Sequence, residues 1–234
     1  MAGREAMRIL RSNLLVAIAD LDNPVVIVTS ARAGEGKTAT CAGLAASLSV
    51  AGLRVVLVDL DLRRPDVHRW IGGHNEFGVA DVLLERRSLE HCLQYIALGD
   101  GYDSDGKGLY FLATGEGIAN PSELLGTTRT SRMLESLARQ ADIVLLDTPP
   151  VLPVADTLVI GRMAAGALLV AEARKTPIPA IREAKDALTR NQTRLLGVVL
   201  NKATHRDVGY GYGYGDEGLD RGAHFGRRSA DPRR

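Results

Sequence analysis

The segment Ala31-Arg32-Ala33-Gly34-Glu35-Gly36-Lys37-Thr38 constrains this chain more than any other. It follows a β-branched apolar run at residues 25–29 and opens an alanine- and leucine-rich stretch, residues 38–50, that stops before Gly52. A strand, a glycine-rich turn and a helix in that order aim the N–H groups of a helix N-terminus at one spot, where a phosphate binds. Gly34 and Gly36 let the backbone approach closely and take dihedrals that side chains disfavour. Lys37 supplies a point charge for the β- and γ-phosphates, and Thr38 a hydroxyl for magnesium. The expected cradle is therefore Ala33, Gly34, Glu35, Gly36, Lys37, Thr38 and Ala39, and the expected ligands are ATP and Mg2+. Ala31 occupies the place of the usual first glycine.

Two acidic strand ends support this reading. Residues 55–58 are apolar and lead into Asp59 and Asp61, and residues 143–146 lead into Asp147. Ligands of open α/β sheets sit beyond the carboxyl ends of the strands. Asp59, Asp61 and Asp147 can thus converge on a magnesium near Thr38. Further apolar runs at residues 109–113, 167–171 and 195–200 alternate with helical stretches such as 130–140 and 179–190. The pattern predicts an α/β fold, a mostly parallel central sheet with helices on both faces. Residues 2–19 read as an amphipathic helix preceding the first strand. Residues 204–234 are rich in glycine and arginine and hold almost no aliphatic side chains, so they read as a flexible tail. The expected organisation is one nucleotide-binding domain over residues 1–203 and a tail from 204.

The chain's 45% hydrophobic and 24% charged residues are ordinary for a globular protein. A net charge of +1 gives no footprint for nucleic acid. Cys41 and Cys92 match no metal spacing, and Cys41 reads as a small buried residue. No apolar run reaches the roughly 20 residues a spanning helix needs, and no signal peptide is evident. A cytoplasmic location is expected, with membrane association supplied by a partner.

The motifs together resemble the bacterial tyrosine kinases of capsule and exopolysaccharide synthesis, within the MinD/ParA-like ATPase superfamily. The resemblance rests on the Gly-Glu-Gly-Lys-Thr loop, on Val58-Asp59-Leu60-Asp61-Leu62-Arg63-Arg64-Pro65 and on Leu145-Leu146-Asp147-Thr148-Pro149-Pro150. It extends to Gly78-Val79-Ala80-Asp81-Val82-Leu83, to residues 112–125 and to the helix around Glu5, Arg8 and Arg11, and covers about residues 5–215. It implies an ATP-dependent protein-tyrosine kinase. Lys37, Asp59 and Asp61 would be catalytic, with Asp59 or Asp61 as base. Thr38, Asp59 and Asp147 would hold magnesium, and Asn201 would contact adenine. Arg63 and Arg64 match the family's Asp-x-Asp-x-Arg continuation.

The same resemblance implies that Tyr210, Tyr212 and Tyr214, three of the six tyrosines, are autophosphorylated between subunits. Glu5, Arg8 and Arg11, spaced along one helix face, would make contacts in a homo-oligomeric ring. It further implies a membrane-embedded activator that recruits the chain to the inner face of the membrane, and other protein tyrosine substrates. The competing expectation is a MinD/ParA-type ATPase switch without tyrosine kinase activity. That branch carries a second lysine early in the loop, where Arg32 stands here, and the tyrosine cluster also favours the kinase.

Overall fold

Short runs of valine, isoleucine and leucine form the central strands because both of their faces are covered, as parallel sheets require. The computed structural model describes residues 2–98, 108–116 and 120–204. In chain order the elements are α1 (Ala2–Ile18), β1 (Val25–Ser30), α2 (Lys37–Val50), β2 (Val55–Asp59), α3 (Val67–Ile71), α4 (Val79–Leu83), α5 (Leu89–Cys92), β3 (Leu93–Ala97) and β4 (Gly108–Leu112). There follow α6 (Pro121–Leu125), α7 (Thr128–Gln140), β5 (Ile143–Asp147), α8 (Asp156–Gly161), β6 (Gly166–Glu172), α9 (Ile178–Arg190) and β7 (Leu195–Asn201).

The described strands form one sheet in the order β3-β4-β2-β5-β1-β6-β7. All neighbours pair in parallel except β3 with β4. Every residue of β1, β2 and β5 is buried. Alternate side chains serve two cores. Val26, Val28, Leu57 and Leu145 pack with Leu14 of α1 and Leu44 and Leu48 of α2. Ile27, Val56, Val144 and Leu146 pack on the other face with Leu134 and Leu137 of α7 and Leu188 of α9.

The antiparallel edge strand β3 was not among the expected strands. Its residues are only partly buried, so its sequence carries a weak apolar signal. Tyr95 lies opposite Tyr110 of β4, and both rings are exposed in an edge-to-face contact with centroids 5.6 Å apart. The tail tyrosines Tyr210, Tyr212 and Tyr214, and Tyr102, lie outside the described residues.

Helix α1 lies across α2. Met7 sits against Gly43, and the Arg11 guanidinium donates to the Ser47 carbonyl at 2.9 Å. Gly78 admits another close approach: a Cβ there would overlap the Ala113 backbone, whose carbonyl accepts from Val79 N at 2.8 Å. This seats the start of α4 on the end of β4. No helix among the described residues is long and apolar enough to cross a membrane. Both cysteines are free and buried.

Leu57, fully buried in β2, tests the core. Leu57→Ala should cost about 2–5 kcal/mol by transfer and cavity terms together, measured as a lower urea midpoint at unchanged slope.

Candidate functional site

The register of three neighbouring strands builds the site. Val28 of β1 and Asp59 of β2 both pair with Asp147 of β5. The last residues of β2 and β5 are therefore side by side, next to the strand that feeds the loop of residues 31–36.

That loop ends in a helix with an open N-terminus. Gly36 precedes α2 at φ 90°, with no side-chain cap, and Gly34 has φ 84°. The first helical amides thus have no intrahelical partner. They face a cleft of about 690 Å3 whose walls include Lys37, Thr38, Asp61, Arg64, Trp70 and Lys202. An anion is the natural complement to such a terminus.

Three features hold the loop in place. The Glu35 carboxylate points away from the cleft, accepting from Arg32 N at 2.9 Å and from the Thr176 hydroxyl at 2.7 Å. Asn201 Nδ2 donates to the Glu35 carbonyl at 3.0 Å, where a Cβ on Gly36 would collide with its amide. Lys202 Nζ donates to the Gly34 carbonyl at 3.1 Å and to Glu172 Oε2 at 2.9 Å. With these carbonyls engaged, the loop's amides are left for an anion. Asn201, expected at the base, thus borders the cleft with its amide nitrogen engaged in holding the loop.

The charged centre is compact. Lys37 Nζ lies 2.9 Å from Asp61 Oδ2, 3.4 Å from Asp147 Oδ2 and 3.2 Å from the Thr38 hydroxyl. Thr38 in turn donates to Asp147 Oδ2 at 2.8 Å. Burial works against the Lys37 charge, but Asp147 and Asp61 outweigh it and raise its pKa above the ordinary value. The other Asp147 oxygen, Oδ1, is buried with no hydrogen-bond partner. A hydroxyl beside a carboxylate with an unsatisfied oxygen is the donor set that magnesium takes, directly or through its waters. The residues present fit that ion.

Asp59 and Asp61 differ sharply. Asp59 is fully buried: Oδ1 accepts from Asp61 N, and Oδ2 from Asp66 N and Val67 N, each at 3.1 Å. It ties the loop after β2 to the start of α3. Asp61 instead borders the cleft. Burial, and then the neighbouring Asp147, raise the Asp59 pKa to about 7, despite its backbone hydrogen bonds. Burial raises Asp147 to about 6 against the opposing pull of Lys37 and Thr38.

Glu5 and Arg8 pair at 3.5 Å on the exposed face of α1, remote in sequence from this centre, while Arg11 is engaged with α2. Three contributors escaped the sequence reading: Lys202, Trp70 and the Glu35–Thr176 pair. The only signal for Lys202 was its place directly after Asn201 at a strand end.

The CobQ/CobB/MinD/ParA nucleotide binding domain family matches residues 26–209. Over 213 residues the chain is 37% identical to the tyrosine-protein kinase YwqD of Bacillus subtilis (strain 168), covering 89% of this chain and 85% of that one. It is 33% identical over 211 residues to the tyrosine-protein kinase wzc of Salmonella typhimurium, covering 90% of this chain. The chain spans 27–28% of the length of wzc and several other curated relatives it matches. The solved kinase domain of Escherichia coli tyrosine kinase ETK matches with a TM-score of 0.78 at 30% identity, over 90% of this chain and 80% of that one.

Trp70 is the single tryptophan of the chain and lines the cleft. Titration with ADP and magnesium should change its fluorescence, and Thr38→Ala should weaken the magnesium dependence about ten-fold or more, the loss expected for a charge-assisted site. The raised carboxyls predict a pH signature. Folded Asp59 keeps its proton where the unfolded chain has released it. Its stabilising contribution is therefore complete below the ordinary carboxyl range and lost as pH rises through about 7. The stability advantage of wild type over Asp59→Asn should shrink from about pH 5 to pH 8 in chemical denaturation.

Proposed function

We propose a function that proceeds from one premise: this chain belongs to the CobQ/CobB/MinD/ParA nucleotide-binding domain family and, within it, to the bacterial tyrosine-protein kinases. It transfers the γ-phosphoryl group of ATP to tyrosine hydroxyls. The observation that carries this reading is Lys37, clustered with Asp61, Asp147 and Thr38 at the uncapped start of α2.

Phosphoryl transfer asks a protein mainly for positioning and neutralisation of charge. The amides of Ala33, Gly34, Glu35, Gly36, Lys37, Thr38 and Ala39 receive the phosphate oxygens. Lys37 exchanges its carboxylate partners for the β- and γ-oxygens. Thr38, Asp147 and Asp59 would hold magnesium, which would supply further neutralisation of the phosphate charge. Asp61, which borders the cleft, takes the phenol proton as the tyrosine oxygen bonds to the γ-phosphorus and the bond to ADP breaks. Asp59 anchors the loop that presents Asp61. Asn201 and Lys202 hold the phosphate loop at the end where the base lies.

Tyr210, Tyr212 and Tyr214 are the acceptors, phosphorylated by a second copy. Glycines alternate with them in the sequence. Glu5 and Arg8, exposed on α1, make contacts in a ring of copies, and Arg11 fixes that helix on α2. Each phosphate adds about −2 charge and loosens the ring. The chain nearly matches YwqD in length but only about a quarter of wzc. A membrane-embedded activator protein holds the kinase at the inner face of the membrane. The output is control of capsule or exopolysaccharide synthesis or export, with other protein tyrosines as further substrates.

Mass spectrometry after incubation with ATP and magnesium tests this reading. Phosphate should appear on Tyr210, Tyr212 or Tyr214 and vanish in Lys37→Met. Tyrosines that stay unmodified, even with an activator segment added, would overturn it in favour of an ATPase switch.

A further inference from the structure

The loop after β2 wraps around its own carboxylates. Asp59 accepts from Asp61, Asp66 and Val67, and Asp61 Oδ1 accepts from Arg64 N at 3.1 Å. These bonds fix the loop's internal shape, Leu60 N ties its start to β5 by donating to the Asp147 carbonyl at 2.8 Å, and Asp61 Oδ2 lies 2.9 Å from Lys37 Nζ. Arg63 links this loop to a different part of the molecule. Its Nε donates to Asp156 Oδ2 at 2.7 Å and its Nη2 to Asp156 Oδ1 at 3.1 Å. The same Nη2 reaches the Ser122 hydroxyl at 3.2 Å, and Ser122 also donates to Asp156 Oδ1.

Asp156 is fully buried in the first turn of α8, while Arg63 is part exposed. The paired guanidinium and the serine hydroxyl hold its carboxyl below the ordinary range, against the opposing effect of burial. The next residue, Thr157, donates to the Pro149 carbonyl at 2.7 Å. Pro149 belongs to the turn that leaves Asp147. The Arg63–Asp156 pair therefore joins the loop carrying Asp61 to the turn that follows Asp147. An ion pair with one buried partner adds little net stability, because desolvation of that partner offsets the attraction, but its forked geometry fixes direction and register.

We propose that Asp156 is a positioning residue for phosphoryl transfer, acting through Arg63 to hold Asp61 in register with Asp147 and Lys37. The proposal rests on the kinase reading for its catalytic consequence, but the latch itself is a statement about the loop. Neither residue lines the cleft, so nucleotide binding should survive their loss. A displacement of about 1 Å in a reacting group can cost about 100-fold in rate.

Two measurements on the full chain test it. In the first, Arg63→Ala, Arg63→Lys and Asp156→Asn are compared with wild type for kcat and KM of phosphotyrosine formation, with Trp70 fluorescence reporting ADP affinity. Arg63→Ala and Asp156→Asn should lose about 10- to 100-fold in kcat, with KM for ATP and ADP affinity within about two-fold. Arg63→Lys should fall between. Methylguanidinium should restore part of the Arg63→Ala rate but none in the Arg63→Ala/Asp156→Asn double variant. A wild-type kcat in Arg63→Ala, or equal losses of kcat and ADP affinity without rescue, would overturn the proposal. If wild type releases inorganic phosphate and forms no phosphotyrosine, the kinase reading falls and the same variants are scored on hydrolysis.

The second measurement does not depend on catalysis. Hydrogen exchange at the amides of Arg64, Asp66 and Val67 should be about ten-fold faster or more in Arg63→Ala, as expected when a local opening is made easier by one tenfold unit. In this variant Ser122 still donates to Asp156, which offsets part of the cost of a buried carboxylate without its cation. Unchanged exchange would sink the latch whatever the activity.

Discussion

Lys37 and the carboxylates around it set the terms for the rest of the molecule. An ammonium within 3.4 Å of two aspartates is at ease only when both remain nearby. Two aspartates this close are at ease only with a cation between them. The protein holds this cluster at the ends of buried parallel strands, where burial already pushes Asp59 and Asp147 towards their neutral forms. In the proposed reaction a nucleotide with magnesium would relieve both: phosphates would take the lysine, and the metal the carboxylates. Ligand binding would then be an exchange of partners within an existing charge cluster.

The sheet and its loops serve that exchange. Pairing of Asp59 with Asp147 fixes the spacing of the acids. Glu35, Asn201 and Lys202 hold the phosphate loop in shape. Asp59 orders the loop after β2, and Arg63 ties that loop to α8. Rigid supports on separate elements keep a site ready without its ligand, which is the condition for electrostatic catalysis.

The sequence was most legible where local physics decides the structure. The β-branched runs at β1, β2 and β5, and the glycine-rich turn into α2, announce a strand, a loop and an anion site through composition alone. Asp59, Asp61 and Asp147 were found because they end apolar runs. The difference between buried Asp59 and cleft-facing Asp61 was not legible, since it depends on where the chain turns after β2. Strand β3 was missed because an antiparallel edge strand needs no continuous apolar run. Asp156, Lys202 and Thr176 act across long sequence distances. Their partners Arg63, Gly34 and Glu35 lie 93, 168 and 141 residues away, so no local pattern points to them.

The central claim is that this charge cluster delivers phosphate to a tyrosine oxygen and not to water. The direct measurement is rapid-quench product analysis with γ-labelled ATP and magnesium, with the candidate activator segment present. Label should pass to phosphotyrosine in step with ADP formation. ADP formed with free phosphate and no labelled tyrosine would contradict it.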